Sequence, residues 1–167
     1  MKLLRFAIAS SVLISPTGFG QATSSDAAIQ KFTPADSAYA RRIVNQQFTL
    51  VDDLKKVDPD VRAAFHAKVQ PEYIANHGER FNATDVVTED LPARRFILAG
   101  SSGGLWFIWY EHGGIAYHHD LVVFSKNGHW QIVAVVQGNV KGELNFESLK
   151  QAIKAGQFSS QPGLSQF

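Results

Sequence analysis

Residues 94–137 constrain the fold more than any other part of the chain. They form four strand-like runs separated by three turn signals: Ser101-Ser102-Gly103-Gly104, Gly113-Gly114 and Asn127-Gly128. Gly-Gly and Asn-Gly supply the positive φ values that tight hairpin turns demand. The segment is therefore expected to fold as a four-stranded antiparallel meander. Two-residue turns would also set the registers. Gly113-Gly114 places Trp109 opposite His118, Phe107 opposite Asp120 and Glu111 opposite Ala116. Asn127-Gly128 places His118 opposite Gln137 and Asp120 opposite Val135. A turn centred on Ser102-Gly103 places Phe96 opposite Trp109 and Arg94 opposite Glu111.

Side chains alternate along a strand, so these registers sort residues onto two faces. Ile97, Ala99, Trp106, Ile108, Tyr110, His119, Leu121 and Val123 share one face. Arg94, Phe96, Leu98, Phe107, Trp109, Glu111, His118, Asp120, Val122 and Gln137 share the other. Both faces are apolar in the middle, whereas a sheet wet on one side alternates apolar with polar. The sheet is expected to be covered on both faces, or to curl around a pocket on one.

The second face carries the candidate site. Arg94 and Glu111 form a cross-strand ion pair in this register. His118 and Asp120 lie two residues apart on one strand, about 7 Å between α-carbons. Trp109 and Gln137 flank His118, and Phe107 faces Asp120. A carboxylate beside an imidazole fixes its tautomer and favours its charged form. The set can hold a ligand or satisfy a buried polar spot. It can also work as a catalyst, with His118 as base, Asp120 as its orienter, and Arg94 or Gln137 steadying negative charge.

His112, His118 and His119 look clustered in the sequence, but the register separates them. His118 and His119 point to opposite faces, and His119 faces Ile108, roughly 13 Å along the strand from His112. No metal ion spans that gap, so neither a metal site nor another cofactor is expected. A bulge near Gly113 that shifted the parity would reopen the question. There is no Gly-x-Ser-x-Gly, no His-Glu-x-x-His and no phosphate-binding glycine loop before a helix.

Helical patterns flank the meander. Thr33-Pro34 suits a helix start, and Ile43, Val44, Phe48, Val51 and Leu54 give one apolar stripe, predicting a helix over 34–56. Asp58-Pro59 opens a second over 59–69. Pro71 opens a short helix or turn with Tyr73 and Ile74 inward, capped at Gly78. Residues 79–93 lack periodicity and form a long connection, the kind that often carries function. Asn145 caps a final helix over 146–155, with Leu144 and Leu149 as a hydrophobic staple. The expected class is α+β: N-terminal helices packed on a four-stranded antiparallel meander, then a C-terminal helix. This element order resembles the cone-shaped NTF2-like proteins and the cystatin-like helix-on-sheet folds. That resemblance implies a small-molecule pocket between helices and concave sheet, lined here by Trp109, His118 and Asp120.

The N-terminus reads as a targeting segment. Lys2 and Arg5 precede the apolar run 6–14, and Gly20-Gln21-Ala22 is a small-x-small cleavage pattern. The expected divisions are a signal peptide over 1–22, a flexible leader over 23–32, one α+β domain over 33–158 and a loose tail over 159–167. The apolar run is shorter than the roughly 20 residues a membrane span needs. Losing Lys2 and Arg5 from 16 basic residues leaves 14 against 15 acidic ones, a formal charge of −1. Such a chain lacks the basic footprint of a nucleic-acid binder. It has no cysteine, which excludes disulfides, thiolate metal sites and a lipidated-cysteine anchor. A periplasmic or secreted bacterial protein fits these features. The leading expectation is an exported, non-enzymatic binding protein. It would hold a small apolar molecule or grip a protein partner through the aromatic sheet face. The alternative is a cofactor-free isomerase or hydrolase built on His118 and Asp120.

Overall fold

A computed structural model of the chain describes residues 32–69 and 74–160. The expected signal segment, Tyr73 and residues 161–167 lie outside the described residues. In chain order the elements are α1 (Pro34–Asn45), β1 (Thr49–Val51), a 3-10 turn (Leu54–Lys56), α2 (Pro59–Val69), β2 (Ile74–Ala75), β3 (Arg94–Ser102), β4 (Leu105–His112), β5 (His118–Asn127), β6 (His129–Gly138), α3 (Phe146–Lys154) and β7 (Phe158–Ser160). The fold is α+β, and its open sheet runs β1-β3-β4-β5-β6-β7, with β2 also pairing with β3. Every pairing is antiparallel except β2 with β3.

Local chemistry explains the helix ends. The Thr33 side chain accepts from the Asp36 amide and Pro34 opens α1. Asn145 and Ser148 form a reciprocal capping box on α3, whose apolar side buries Leu149, Ala152 and Ile153. The Asp58 carboxylate accepts from the amides of Asp60 and Val61 at the start of α2.

The helix expected over 34–56 stops at Asn45. Thr49-Leu50-Val51 instead adds β1 to the edge of β3, pairing with Ser101, Gly100 and Ala99. Strand-favouring residues met an open sheet edge there, and ladder bonds outweighed the helical stripe. Phe48 still turns inward, its ring 5.1 Å from that of Phe107 and 5.7 Å from that of Phe146. Gly100 permits the close approach: a Cβ there would lie 2.6 Å from the Phe107 ring and 3.1 Å from Leu50. Ile74, expected on a short helix or turn, is on β2, and Ser159 and Ser160, expected in a tail, are on β7.

The sheet is covered on both faces. Ile43, Leu98, Phe107, Trp109, Leu121, Val123, Val136, Leu149 and Ile153 form one core with α1 and α3. Val61, Phe65, Phe96, Ile108, Tyr110, Val122 and Phe124 form the other with α2 and the 3-10 turn. Apolar residues on both sides of the strands required this, as the sequence pattern implied.

The registers differ from those expected, for identifiable reasons. β4 and β5 are joined by the five residues 113–117, not by a two-residue turn, so His112 faces His118, Glu111 faces His119, Tyr110 faces Asp120 and Trp109 faces Leu121. The cause is the 79–93 connection. The Gly113 amide donates to Ala93 O at 2.9 Å, and a Cβ on Gly113 would lie 1.7 Å from Asn82 O. The chain leaving β4 first docks on this connection, and only then turns. Asn82 in turn organises the connection: its side chain bonds the backbone of Thr88 and Leu91. The β3–β4 turn falls on Gly103-Gly104, pairing Ser102 with Leu105 and moving the register two residues from that expected, and a bulge at Ile97 takes one back, so Arg95, not Arg94, is the partner of Glu111 and Arg94 lies opposite His112. The β5–β6 turn pairs Asn127 with His129 around Gly128, one residue from the expected register, and a bulge on β6 beside Val123 and Phe124 adds a second, so Gln137 is the partner of Asp120 rather than of His118.

Candidate functional site

The β4–β5 shift is three residues, an odd number, so β5 presents opposite faces to those expected. His118 and Asp120 leave the face of Trp109 and join Tyr110, His112 and Arg94. Trp109 and Phe107, expected at a binding surface, are fully buried in the α1/α3 core. Glu111 lies on that same side. Of the residues proposed from sequence, the structure brings together Arg94, His118, Asp120 and Gln137, and separates Phe107, Trp109 and Glu111 from them.

His112 and His118 face each other across the ladder, with ring centroids 4.7 Å apart. Both converge on Asp120 Oδ2, His118 Nε2 at 3.2 Å and His112 Nδ1 at 3.7 Å. The strands fix this arrangement: facing β4 and β5 residues supply the imidazoles, and the next same-face position on β5 supplies the carboxylate. His118 Nδ1 lies 2.5 Å from Ala116 O. A carbonyl can only accept, so Nδ1 carries a proton, and in the neutral ring Nε2 offers a lone pair. The histidine side chains are 32% and 19% exposed and that of Asp120 is 10% exposed, so the cluster sits at the edge of the core, open to solvent on one side.

Two neighbours complete the site. Tyr110, opposite Asp120 on β4, has its phenol pushed well above the ordinary range, first by burial and then by the Asp120 carboxylate. It stays protonated and can donate. Arg94, opposite His112 on β3, has a buried Nε with no hydrogen-bond partner among the described residues. The sequence had set His112 aside from His118 through the assumed turn. The signal that would have found it is the pair of histidines symmetrically flanking residues 113–117.

A second polar network occupies the opposite face of the same strand ends. Arg95 Nε donates to Glu111 Oε2 at 2.6 Å, and the Tyr117 hydroxyl donates to Glu111 Oε1 at 2.5 Å. His119 Nδ1 accepts from the Val140 amide at 3.3 Å, so its Nε2 carries the proton and faces the Tyr117 oxygen, also at 3.3 Å. Burial holds the His119 pKa below the ordinary range and pushes that of Tyr117 up, the bond to Glu111 adding to the latter. Each of these groups has its partner, and the chain ties β3, β4, β5 and the Val140 backbone together. Its fully buried histidine, His119, works as a brace.

A cleft of about 620 Å³ opens at the other end of the sheet, lined by residues including Phe48, Ser101, Trp106, Lys126 and Trp130. Trp106 and Trp130 are only partly buried. Among the described residues, no helix is long and apolar enough to cross a membrane. No protein-family model, curated protein or solved structure matches the chain.

The structure thus supplies a polar, ion-paired surface of His112, His118 and Asp120, usable for binding or catalysis, above a buried aromatic cluster.

Proposed function

We propose that this chain is an exported enzyme of hydrolase or isomerase type whose working centre is the His112–His118–Asp120 cluster. One observation carries the reading. With Nδ1 of His118 committed to Ala116 O, the Nε2 lone pair faces a carboxylate oxygen at 3.2 Å. Two acceptors at that distance repel unless a cation lies between them. The cluster is therefore a holder of positive charge at a partly open edge of the core. A cation held there can polarise a bound water or a substrate carbonyl. Arg94, with its unbonded Nε beside the cluster, suits the negative oxygen that such chemistry develops.

The test is a panel of chromogenic esters and phosphoesters, run on the mature chain and its variants. Turnover should fall at least about 100-fold in Asp120→Asn and His118→Gln, the scale expected for removing a group that stabilises the transition state. It should persist in Trp106→Ala, at the far end of the sheet. Turnover that survives loss of both Asp120 and His118 would refute the reading.

The cleft supports a second reading, a binding module for a small molecule. Trp106 and Trp130 flank it, and Lys126 Nζ sits 5.5 Å from the Trp130 ring centroid. Such a ligand would change tryptophan fluorescence, and Trp130→Ala would abolish the change.

A further inference from the structure

We propose that the cation held by His112, His118 and Asp120 is a divalent first-row transition-metal ion of the zinc class. This rests on the reading of the cluster as the working centre and names its cofactor. The donor atoms lie within 4.8 Å of one another. Metal–nitrogen and metal–oxygen bonds of about 2.0–2.1 Å place tetrahedral ligands roughly 3.4 Å apart. The distances of 3.2 and 3.7 Å to Asp120 Oδ2 straddle that edge length.

A proton satisfies the geometry less well. It can bridge His118 and Asp120, but His112 Nδ1 at 3.7 Å is beyond hydrogen-bond reach of the same oxygen. One metal ion engages all three donors. The surroundings also match what metal ligands require. The far nitrogen of His118 donates to a backbone carbonyl, which fixes the tautomer that leaves Nε2 free to ligate. Tyr110, directly opposite Asp120 on β4, backs the carboxylate.

The donor set selects the ion. Two imidazoles and one carboxylate suit zinc, ferrous iron, cobalt or nickel rather than calcium or magnesium, which prefer all-oxygen shells. Three protein ligands at a partly exposed edge leave a position for water, as catalytic rather than structural sites do. Arg94 stands across the ladder from His112 and repels a bare dication. An anionic fourth ligand removes that penalty. The site should therefore bind its metal more tightly in the presence of a small carboxylate or phosphate.

The experiment is calorimetric titration of the chelator-treated full chain with Zn²⁺, repeated with Co²⁺ and read by visible absorption. One equivalent should bind, and Co²⁺ should give the intense ligand-field bands of a low-symmetry, four- or five-coordinate ion. Asp120→Asn and His118→Gln should each weaken binding at least about 100-fold, and His112→Ala, a partly exposed position, should do the same with the fold intact. The exposed His129→Ala should change nothing. No stoichiometric binding by the parent chain would overturn the inference, as would binding that survives all three substitutions. Catalysis that needs Asp120 but resists chelation would sink the metal and leave the enzyme reading standing. Metal binding at these residues, without any reaction that depends on them, would do the reverse.

Discussion

Replacing Glu111 by alanine should be among the most damaging single changes to the fold. The residue is 2% exposed, and both carboxylate oxygens are engaged, one by Arg95 Nε at 2.6 Å and one by the Tyr117 hydroxyl at 2.5 Å. Charge-assisted bonds of this kind contribute about 1.5–3 kcal/mol each. Breaking a buried pair typically costs about 3–5 kcal/mol, because the remaining charge is stranded. Here Arg95 is not fully stranded. Its side chain is 29% exposed, stacks over the Phe81 ring and reaches Glu79 O, so water can recover part of the loss. The expected cost is therefore near the lower end, about 3 kcal/mol. Urea unfolding followed by tryptophan fluorescence measures it, with an unchanged slope marking a stability effect alone. A double-mutant cycle with Tyr117→Phe should show coupling of about 1 kcal/mol or more, since the two groups share one bond. A loss below about 1 kcal/mol would place the pair among surface ion pairs and refute the argument from burial.

Three further outcomes follow from the same geometry. Gly113→Ala puts a Cβ 1.7 Å from Asn82 O, so either β4 or the 79–93 connection must move; the unfolding free energy from urea titration should drop by about 1–3 kcal/mol or more, the usual range for overpacking, and an unchanged midpoint would contradict the docking of the two segments. His119 has a folded pKa below its ordinary value because it is buried, so the unfolded chain takes up a proton that the folded chain refuses. That contribution to stability is complete above a pH of about 6.5 and is lost as pH falls through the folded value; His119→Asn should flatten this acid limb, although at lower absolute stability. Tyr110 and Tyr117 are raised, each chiefly by burial. Their contribution is complete below a pH of about 10 and is lost as pH rises towards the folded values, so these two phenols should ionise late and together with unfolding, as ultraviolet titration would show.

Much of the fold was legible because it depends on local chemistry. Thr33-Pro34, Asp58-Pro59 and Asn145 start helices where their side chains suggest. The alternation over 94–137 gave four long antiparallel strands, and its two apolar faces implied cover on both sides. Other features depend on contacts distant in sequence. No helical periodicity shows that Thr49–Val51 will find the edge of β3. Nothing local to Gly113 shows that Asn82 will press against it, so its glycine reads as a turn residue when its use is close approach. The bulge at Ile97 likewise has no local signal, and together with a turn that falls on Gly103-Gly104 it exchanges Arg94 for Arg95. The candidate site was partly legible for the same reason. His118, Asp120, Arg94 and Gln137 were identified as chemistry-bearing residues, but His112 entered only when the connection between β4 and β5 proved five residues long.

That connection also explains why two adjacent histidines do different work. On a strand, neighbours must face opposite sides, so His118 and His119 can never share a site. The three-residue shift gives each an appropriate partner on β4: His112 for His118, and Glu111 for His119. His119 is closed in by Trp109, Tyr117 and the Val140 amide, and its neutral ring bonds at both nitrogens. His118 lies at the open edge with a lone pair directed at a carboxylate. A slip of one residue in this ladder would pair His118 with a neighbour of His112 and dismantle both arrangements together. The brace formed by Arg95, Glu111, Tyr117 and His119 thus has a consequence for the other face. It locks the register that brings His112, His118 and Asp120 into one cluster, so Glu111→Ala should loosen that cluster without touching any residue in it. A Glu111→Ala chain that still folds should therefore bind Co²⁺ more weakly than the parent. Equal affinity would show that the two faces are independent.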